Sequence, residues 1–232
     1  LEQAWELNQK GRNNVIIGGN LWLKMGNRNI LNAIDLSTLG LDRIEEDESG
    51  FRIGCMATLR DIEMHEGLNK EFQNLFKEAV RHIVGVQFRN CATVGGSIFP
   101  KLGFSDVLTA FLACDTQVIL YKKGEVSLRE FIYMPLDNDI LTHIYVKKDG
   151  RKTAYESFRM TETDFPTLTC AMAMVDGRFE TVLGARPKHA EVVIDEELAD
   201  SLSKEDVASY AKRVIDKLQY GSNIRGSKQY RK

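Results

Sequence analysis

This sequence has little of what usually commits a chain to a familiar chemistry. No apolar run approaches the roughly 20 residues that span a bilayer. Leu1 to Lys10 lack the charged head and apolar core of a signal peptide, so a cytoplasmic protein is expected. Charge of one sign is not in excess: 31 Lys and Arg face 33 Asp and Glu. That balance argues against a general nucleic-acid binder, which carries a basic surplus. Cysteine is sparse, with Cys55, Cys91, Cys114 and Cys170 widely scattered and no C-x-x-C. A zinc or iron–sulfur site within the chain is not expected, and buried thiols are. The four histidines, His65, His82, His143 and His189, are isolated from one another. Ser105 lacks a G-x-S-x-G setting and Cys91 an evident base, so no catalytic nucleophile is assigned. No G-x-G-x-x-G and no Gly-Lys-Ser/Thr occurs, which leaves out the Rossmann fingerprint and the P-loop.

What is present is a pair of glycine-rich segments. Cys91 to Asp106 contains Gly95-Gly96 between Thr93 and Ser97, then Ser105-Asp106 before an apolar run. Backbone free of side chains beside small hydroxyls is what brings N–H groups up to a phosphate. A second pair, Gly18-Gly19, follows Val15-Ile16-Ile17 and precedes Asn20. Its turn opens a short helix and adds N–H groups and a favourable dipole. The two segments are expected to face each other across one dinucleotide, although either alone is more often a tight turn. Ser105 or Asp106 caps the helix that follows, and Asp106 reads first as such a cap and second as an acceptor for ribose or ribityl hydroxyls. Trp22 and Phe99 sit beside the two segments, where each borders either a flat ligand or the core.

The element pattern is mixed. Residues 1 to about 36 read as helix, strand, glycine loop, short helix and strand, the order of a parallel β-α-β unit. Phe51, Ile53 and Cys55 alternate with polar or small residues as a strand. Thr58 caps a helix through His65, with Gly67 as its stop. Phe72, Leu75, Phe76, Ala79, Val80 and Ile83 form one helical stripe over Lys70 to Val84. Strands are expected at Gln117 to Tyr121, Val126 to Leu128 and Asp139 to Val146. Beyond about Gly150 come a strand at Tyr155 to Arg159 and a hairpin of Leu168 to Val175 with Arg178 to Leu183 across Asp176-Gly177. A helix follows from Ser203 to about Gln219, with Asp206 completing a weak capping box. Gly221 to Lys232 reads as a basic surface tail.

Three runs taken in order are distinctive: V-I-I-G-G-N-L-W-L at Val15 to Leu23, A-T-V-G-G-S-I at Ala92 to Ile98, and S-D-V-L-T-A at Ser105 to Ala110. With Asp35 to Ile44, Phe51 to Ile62 and Arg225 to Arg231, they resemble the FAD-binding (medium) subunit of the molybdenum hydroxylases. That family includes xanthine dehydrogenase, aldehyde oxidase and carbon monoxide dehydrogenase. The resemblance implies an α+β fold of the vanillyl-alcohol-oxidase type. It comprises an FAD-binding domain of two subdomains, here residues 1–150, and a small C-terminal α+β domain of three strands and a helix, here 151–232. It implies FAD contacts from Val15, Ile16, Ile17, Gly18, Gly19, Asn20, Leu21 and Trp22. Further contacts are implied from Thr93, Val94, Gly95, Gly96 and Ser97, and from Asp106, with Ile83 and Leu141 by spacing.

Asn20-Leu21 and Ser97 depart from that family's commoner Thr-Asp and Asn. A lysine near the flavin in some members falls close to Glu156 and is not carried over. The implied function is noncovalent FAD binding and electron transfer, as an oxidoreductase subunit of a hetero-oligomer. Electrons come from an iron–sulfur subunit and pass to an acceptor such as NAD+, with the molybdenum cofactor on a further molybdopterin-binding subunit. The rival readings are a non-catalytic nucleotide-binding or bridging member and an independent flavin oxidoreductase. The abrupt start at Leu1 also raises the expectation of a strand preceding it.

Overall fold

The computed structural model describes residues 1–195 and 203–232. Its first unit is the expected β-α-β arrangement. Helix Glu2–Gln9 leads into strand Asn14–Ile17, which pairs in parallel with Asn32–Asp35, Val15 opposite Ala33 and Ile17 opposite Asp35. The glycine pair and a single 3-10 turn, Leu23–Met25, make the crossover.

The second unit is an antiparallel five-stranded sheet ordered Ile44–Glu46, Gly50–Gly54, Leu141–Lys147, Thr116–Leu120, Gly124–Ser127. Its inner face, with Phe51, Ile53, Val118, Ile144 and Val146 fully buried, lies in the main core. Helix Leu59–Met64 packs in that core behind a reciprocal capping box between Thr58 and Asp61. Such a cap stabilises a helix by about 1 kcal/mol.

The single helix expected over Lys70 to Val84 is two helices, Glu66–Glu71 and Leu75–Val80, and Gly67 lies inside the first rather than stopping anything. Gln73 and Asn74 between them have φ of 45° and 64°. The break is fixed by Asn69, whose amide donates to the carbonyls of Ile62, Glu63 and His65 and accepts from the Lys77 N–H at 3.0 Å. The apolar stripe survives the break because Phe72, Leu75, Phe76, Ala79 and Val80 still face one core.

The third unit is an antiparallel sheet of four strands rather than three, ordered Glu191–Asp195, Arg178–Gly184, Leu168–Val175, Lys152–Phe158. The strand not anticipated, Glu191–Asp195, is short and flanked by charge, and is secured by pairing along Arg178–Gly184. Asp176 and Gly177 both have positive φ, 50° and 73°, as the Asp-Gly hairpin requires.

Alternation in these strands feeds two cores. Ala171, Ala173 and Val182 join the main one, beneath helix Asp106–Leu112. Leu183 and Val193 join a smaller one with Tyr210 and Val214 of helix Lys204–Lys217 and with Leu218 just beyond its end. That helix opens on the reciprocal Ser203–Asp206 capping box.

The C-terminal segment is not a loose basic tail. Arg231 is buried and donates to the carbonyls of Thr167, Ala185, Gly221 and Gly226 and to Asn223 Oδ1. Five N–H donors on one planar group allow a single arginine to tie down that much backbone.

Candidate cofactor site

The two glycine segments meet. A Cβ built on Gly18 would lie 2.6 Å from Thr93 Oγ1, and one on Gly19 would overlap the Cys91 carbonyl. Neither glycine has a positive φ. The residue type is set here by close approach, to backbone at Gly19 and to the Thr93 side chain at Gly18, not by turn conformation. Asn20 is the member of this segment in the left-handed region, at φ 60°.

The second segment is a helix start rather than a loop. Val94–Ile98 is a short helix capped by Thr93, whose Oγ1 accepts from the Gly96 N–H. Its amides are committed within the chain. Val94 donates to Ala57, Gly95 to Cys55, Gly96 to Thr93 Oγ1 and Ser97 to the Thr93 carbonyl. This departs from the expectation that these N–H groups reach a phosphate. Gly95 is required for packing, since a Cβ there would sit 2.7 Å from Cys55. Gly96 is exposed and meets only Thr93 Oγ1, at 2.9 Å.

The first segment is the converse. Among the described residues, the amides of Gly19, Asn20, Leu21 and Trp22 donate to no acceptor of the chain. Four successive unengaged N–H groups beside a rigid neighbour are donors that an anion could use. The surrounding charge agrees with this. From Leu7 to Ile34 the chain carries Lys10, Arg12, Lys24 and Arg28 and no acidic residue. This local excess, hidden in a net charge of -2, was a signal available in the sequence.

Asp106 does not cap its helix. Ser105 does, accepting from the Leu108 N–H at 3.0 Å, while its hydroxyl donates to the Ser97 carbonyl at 3.0 Å. Asp106 is thereby placed beside the second segment. It is buried, accepts from the Tyr155 hydroxyl at 2.5 Å and pairs with Arg159. Burial raises its carboxyl above the usual range, against the opposing pull of Arg159 and Tyr155. Spacing along the chain did not reveal Tyr155 and Arg159. They lie four residues apart on an expected strand, hence on one face of it, which is the signal that places them together.

Leu141 is buried at the start of its strand, next to Thr142, whose carbonyl accepts from Cys55 N–H; the Cys55 carbonyl in turn accepts from Gly95. The backbone thus links it to the second segment. Ile83 is half-buried against the core, its carbonyl held by Arg89, and no hydrogen bond joins it to either glycine segment among the described residues. Trp22 is half exposed. With Phe104 and Phe165, at ring-centroid distances of 5.4 and 5.9 Å, it borders a cavity of about 260 Å³. Phe99, by contrast, packs on Phe131 at the core.

The sequence pattern described as the FAD binding domain in molybdopterin dehydrogenase matches residues 1–146. This chain belongs to that family. Among similar proteins, YgfM of Escherichia coli strain K12, itself described as uncharacterized, is 27% identical over 144 residues, 62% of this chain and 54% of YgfM. The chain spans about half the length of that relative. The glyceraldehyde dehydrogenase medium chain of Sulfolobus acidocaldarius is 25% identical over 217 residues, covering 86% of this chain and 77% of that one. Two solved structures share the fold. A carbon monoxide dehydrogenase from Hydrogenophaga pseudoflava superposes with a TM-score of 0.84 at 23% identity, over 98% of this chain and 88% of that one. Quinoline 2-oxidoreductase from Pseudomonas putida 86 superposes with a TM-score of 0.88 at 18% identity, over 100% and 88%.

The residues present fit an FAD pyrophosphate. The first segment sits this close to the second because Gly18 and Gly19 have no Cβ, and its amide donors are unengaged.

Proposed function

We propose that this chain is the FAD-binding electron-transfer subunit of a molybdenum hydroxylase complex. Family membership supports FAD as the ligand, and the four unengaged amides of Gly19 to Trp22 support a binding role for the first glycine segment. In this reading these amides hold the pyrophosphate, and Lys10, Arg12, Lys24 and Arg28 supply the positive field around it. Thr93 to Ser97 form the wall on which the first segment rests, and Asp106 accepts from a polyol hydroxyl. Val15, Ile16, Ile17, Ile83 and Leu141 line the rest.

Bound FAD supplies the capacity to take up and release electrons, and no side chain of this site need act as acid or base. Electrons arrive from an iron–sulfur subunit and leave to an acceptor such as NAD+, in the manner of a xanthine dehydrogenase. Substrate chemistry belongs to the molybdopterin-binding subunit. Among the described residues no helix is long and apolar enough to cross a membrane, and a cytoplasmic assembly is proposed. The medium-chain relative from Sulfolobus supports this hetero-oligomeric reading.

Titration with FAD and with riboflavin tests it. FAD is expected to bind noncovalently at one site, and riboflavin, which lacks the pyrophosphate, at least tenfold more weakly, or about 1.4 kcal/mol. Failure to bind FAD would sink the proposal.

A further inference from the structure

Asp106 begins a seven-residue helix that is buried on every side. Both side-chain donors that reach its carboxylate, the Tyr155 hydroxyl and Arg159 Nη2, converge on one oxygen, Oδ1. Oδ2 receives no donor from a side chain among the described residues. Arg159 cannot slide to share itself between the two oxygens. Its Nη1 donates to the Asp164 carbonyl at 2.6 Å and its Nε to Ser157 Oγ at 3.2 Å. The Asp106 and Arg159 side chains are 5% and 7% exposed. An arginine serving only to neutralise a buried aspartate would favour the two-pronged fork, with both oxygens engaged. Here both side-chain donors crowd one oxygen and neither reaches the other, the only further donor to the carboxylate among the described residues being the residue's own backbone amide.

We infer that Tyr155 and Arg159 are positioning residues for the cofactor, clamping Oδ1 of Asp106 so that Oδ2 accepts a polyol hydroxyl. The hydroxyl belongs either to the ribityl chain of the flavin or to the ribose of the adenosine half. The inference rests on the FAD reading above. It also gives the C-terminal sheet a share in the site, since Tyr155 and Arg159 lie on and just beyond its strand Lys152–Phe158.

The clamp has a pH signature. The charged or titratable groups facing Asp106 are Arg159 and Tyr155, and the neighbouring strand adds Cys170. Burial pushes the Cys170 thiol up to about 11 and the Tyr155 hydroxyl well above its usual value, so both stay neutral near pH 7. Ser97 and Ser105, on the remaining side, do not titrate. A protonated Asp106 is a poorer acceptor, so cofactor affinity falls as pH drops through its folded value. Removing the Arg159 charge moves that fall to higher pH.

The test measures FAD, FMN and ADP binding between about pH 5 and 9 by wild type, Tyr155→Phe, Arg159→Lys and Arg159→Met. Arg159→Met is expected to bind FAD about tenfold more weakly near neutral pH, the loss expected for a charge-assisted hydrogen bond. The midpoint of its pH dependence should lie above that of wild type, and Arg159→Lys should recover most of the affinity. A loss confined to FMN identifies the ribityl chain, and one confined to ADP the ribose; either supports the clamp. Equal loss in both arms, or none in either, overturns it. If Arg159→Met does not fold, Tyr155→Phe decides by the same criteria, since it removes one oxygen. A wild-type chain that binds none of the three ligands sinks the FAD reading and the clamp together. Wild-type binding with unaltered variants sinks the clamp alone.

Discussion

Gly19 and Cys91 are in backbone contact: the hydrogen that stands where Gly19 would carry a Cβ faces the Cys91 carbonyl, with no space for a carbon. They lie 72 positions apart in sequence, and their contact sets the first glycine segment against the second.

Gly19→Ala should therefore force the two segments apart, because the obstacle is backbone and not the end of a flexible side chain. FAD affinity is expected to fall by tenfold or more, with a lowered midpoint of thermal unfolding. Gly96→Ala is the comparison. Its Cβ meets only the Thr93 hydroxyl, and its stability cost should stay within about 1 kcal/mol. Calorimetry and FAD titration on the two variants check this. Equal effects would show that the Gly19 contact is not special.

Asn69→Leu should lower stability by about 2–4 kcal/mol, because three carbonyls and the Lys77 N–H lose their partner in a buried bend. The melting midpoint should fall by roughly 4–16 °C. A fall of under about 1 °C would mean that the break between the two helices does not depend on this side chain.

Glu63 gives a stability that depends on acid. Burial raises its carboxyl, but the hydrogen bonds and charges of Arg89 and Arg60 outweigh burial and hold it below the usual value. A carboxyl lowered on folding adds stability that is fully present above its unfolded pKa, about 4.3. That stability is lost as pH falls through the folded value. The melting midpoint of Glu63→Gln should be lower than wild type near neutral pH, and the gap should narrow in acid. A gap that stays constant across the titration would contradict the assignment.

The sequence was legible where short-range chemistry decides the structure. Val15-Ile16-Ile17 before Gly18-Gly19 marked a strand, which is half-buried rather than buried, and Asp176-Gly177 marked a hairpin, because a glycine stop and a tight turn are read from adjacent residues. The helix stripe from Phe72 to Ile83 was misread as continuous. Its periodicity is real, but Asn69 bends the backbone between Phe72 and Leu75 from outside the stripe. Strand Glu191–Asp195 carries an unbroken Val-Val-Ile run with no alternation to read, and is held by its neighbour.

At the site, both glycine pairs were visible, but which of them has unengaged amides was not. That depends on Ala57 and Cys55 being brought under Val94 and Gly95 by the sheet. The Asp106–Arg159 pair, bridging 53 positions, was equally hidden, because only the fold brings the end of strand Lys152–Phe158 to the start of that helix.

The central claim, that the first segment holds the pyrophosphate while the second supports it, is tested most directly by amide hydrogen exchange with and without FAD. Gly19, Asn20, Leu21 and Trp22 should exchange quickly in the free protein and become protected on binding. Val94 to Ser97, already bonded within the chain, should change little. New protection confined to Val94 to Ser97, with Gly19 to Trp22 unaffected, would contradict the account.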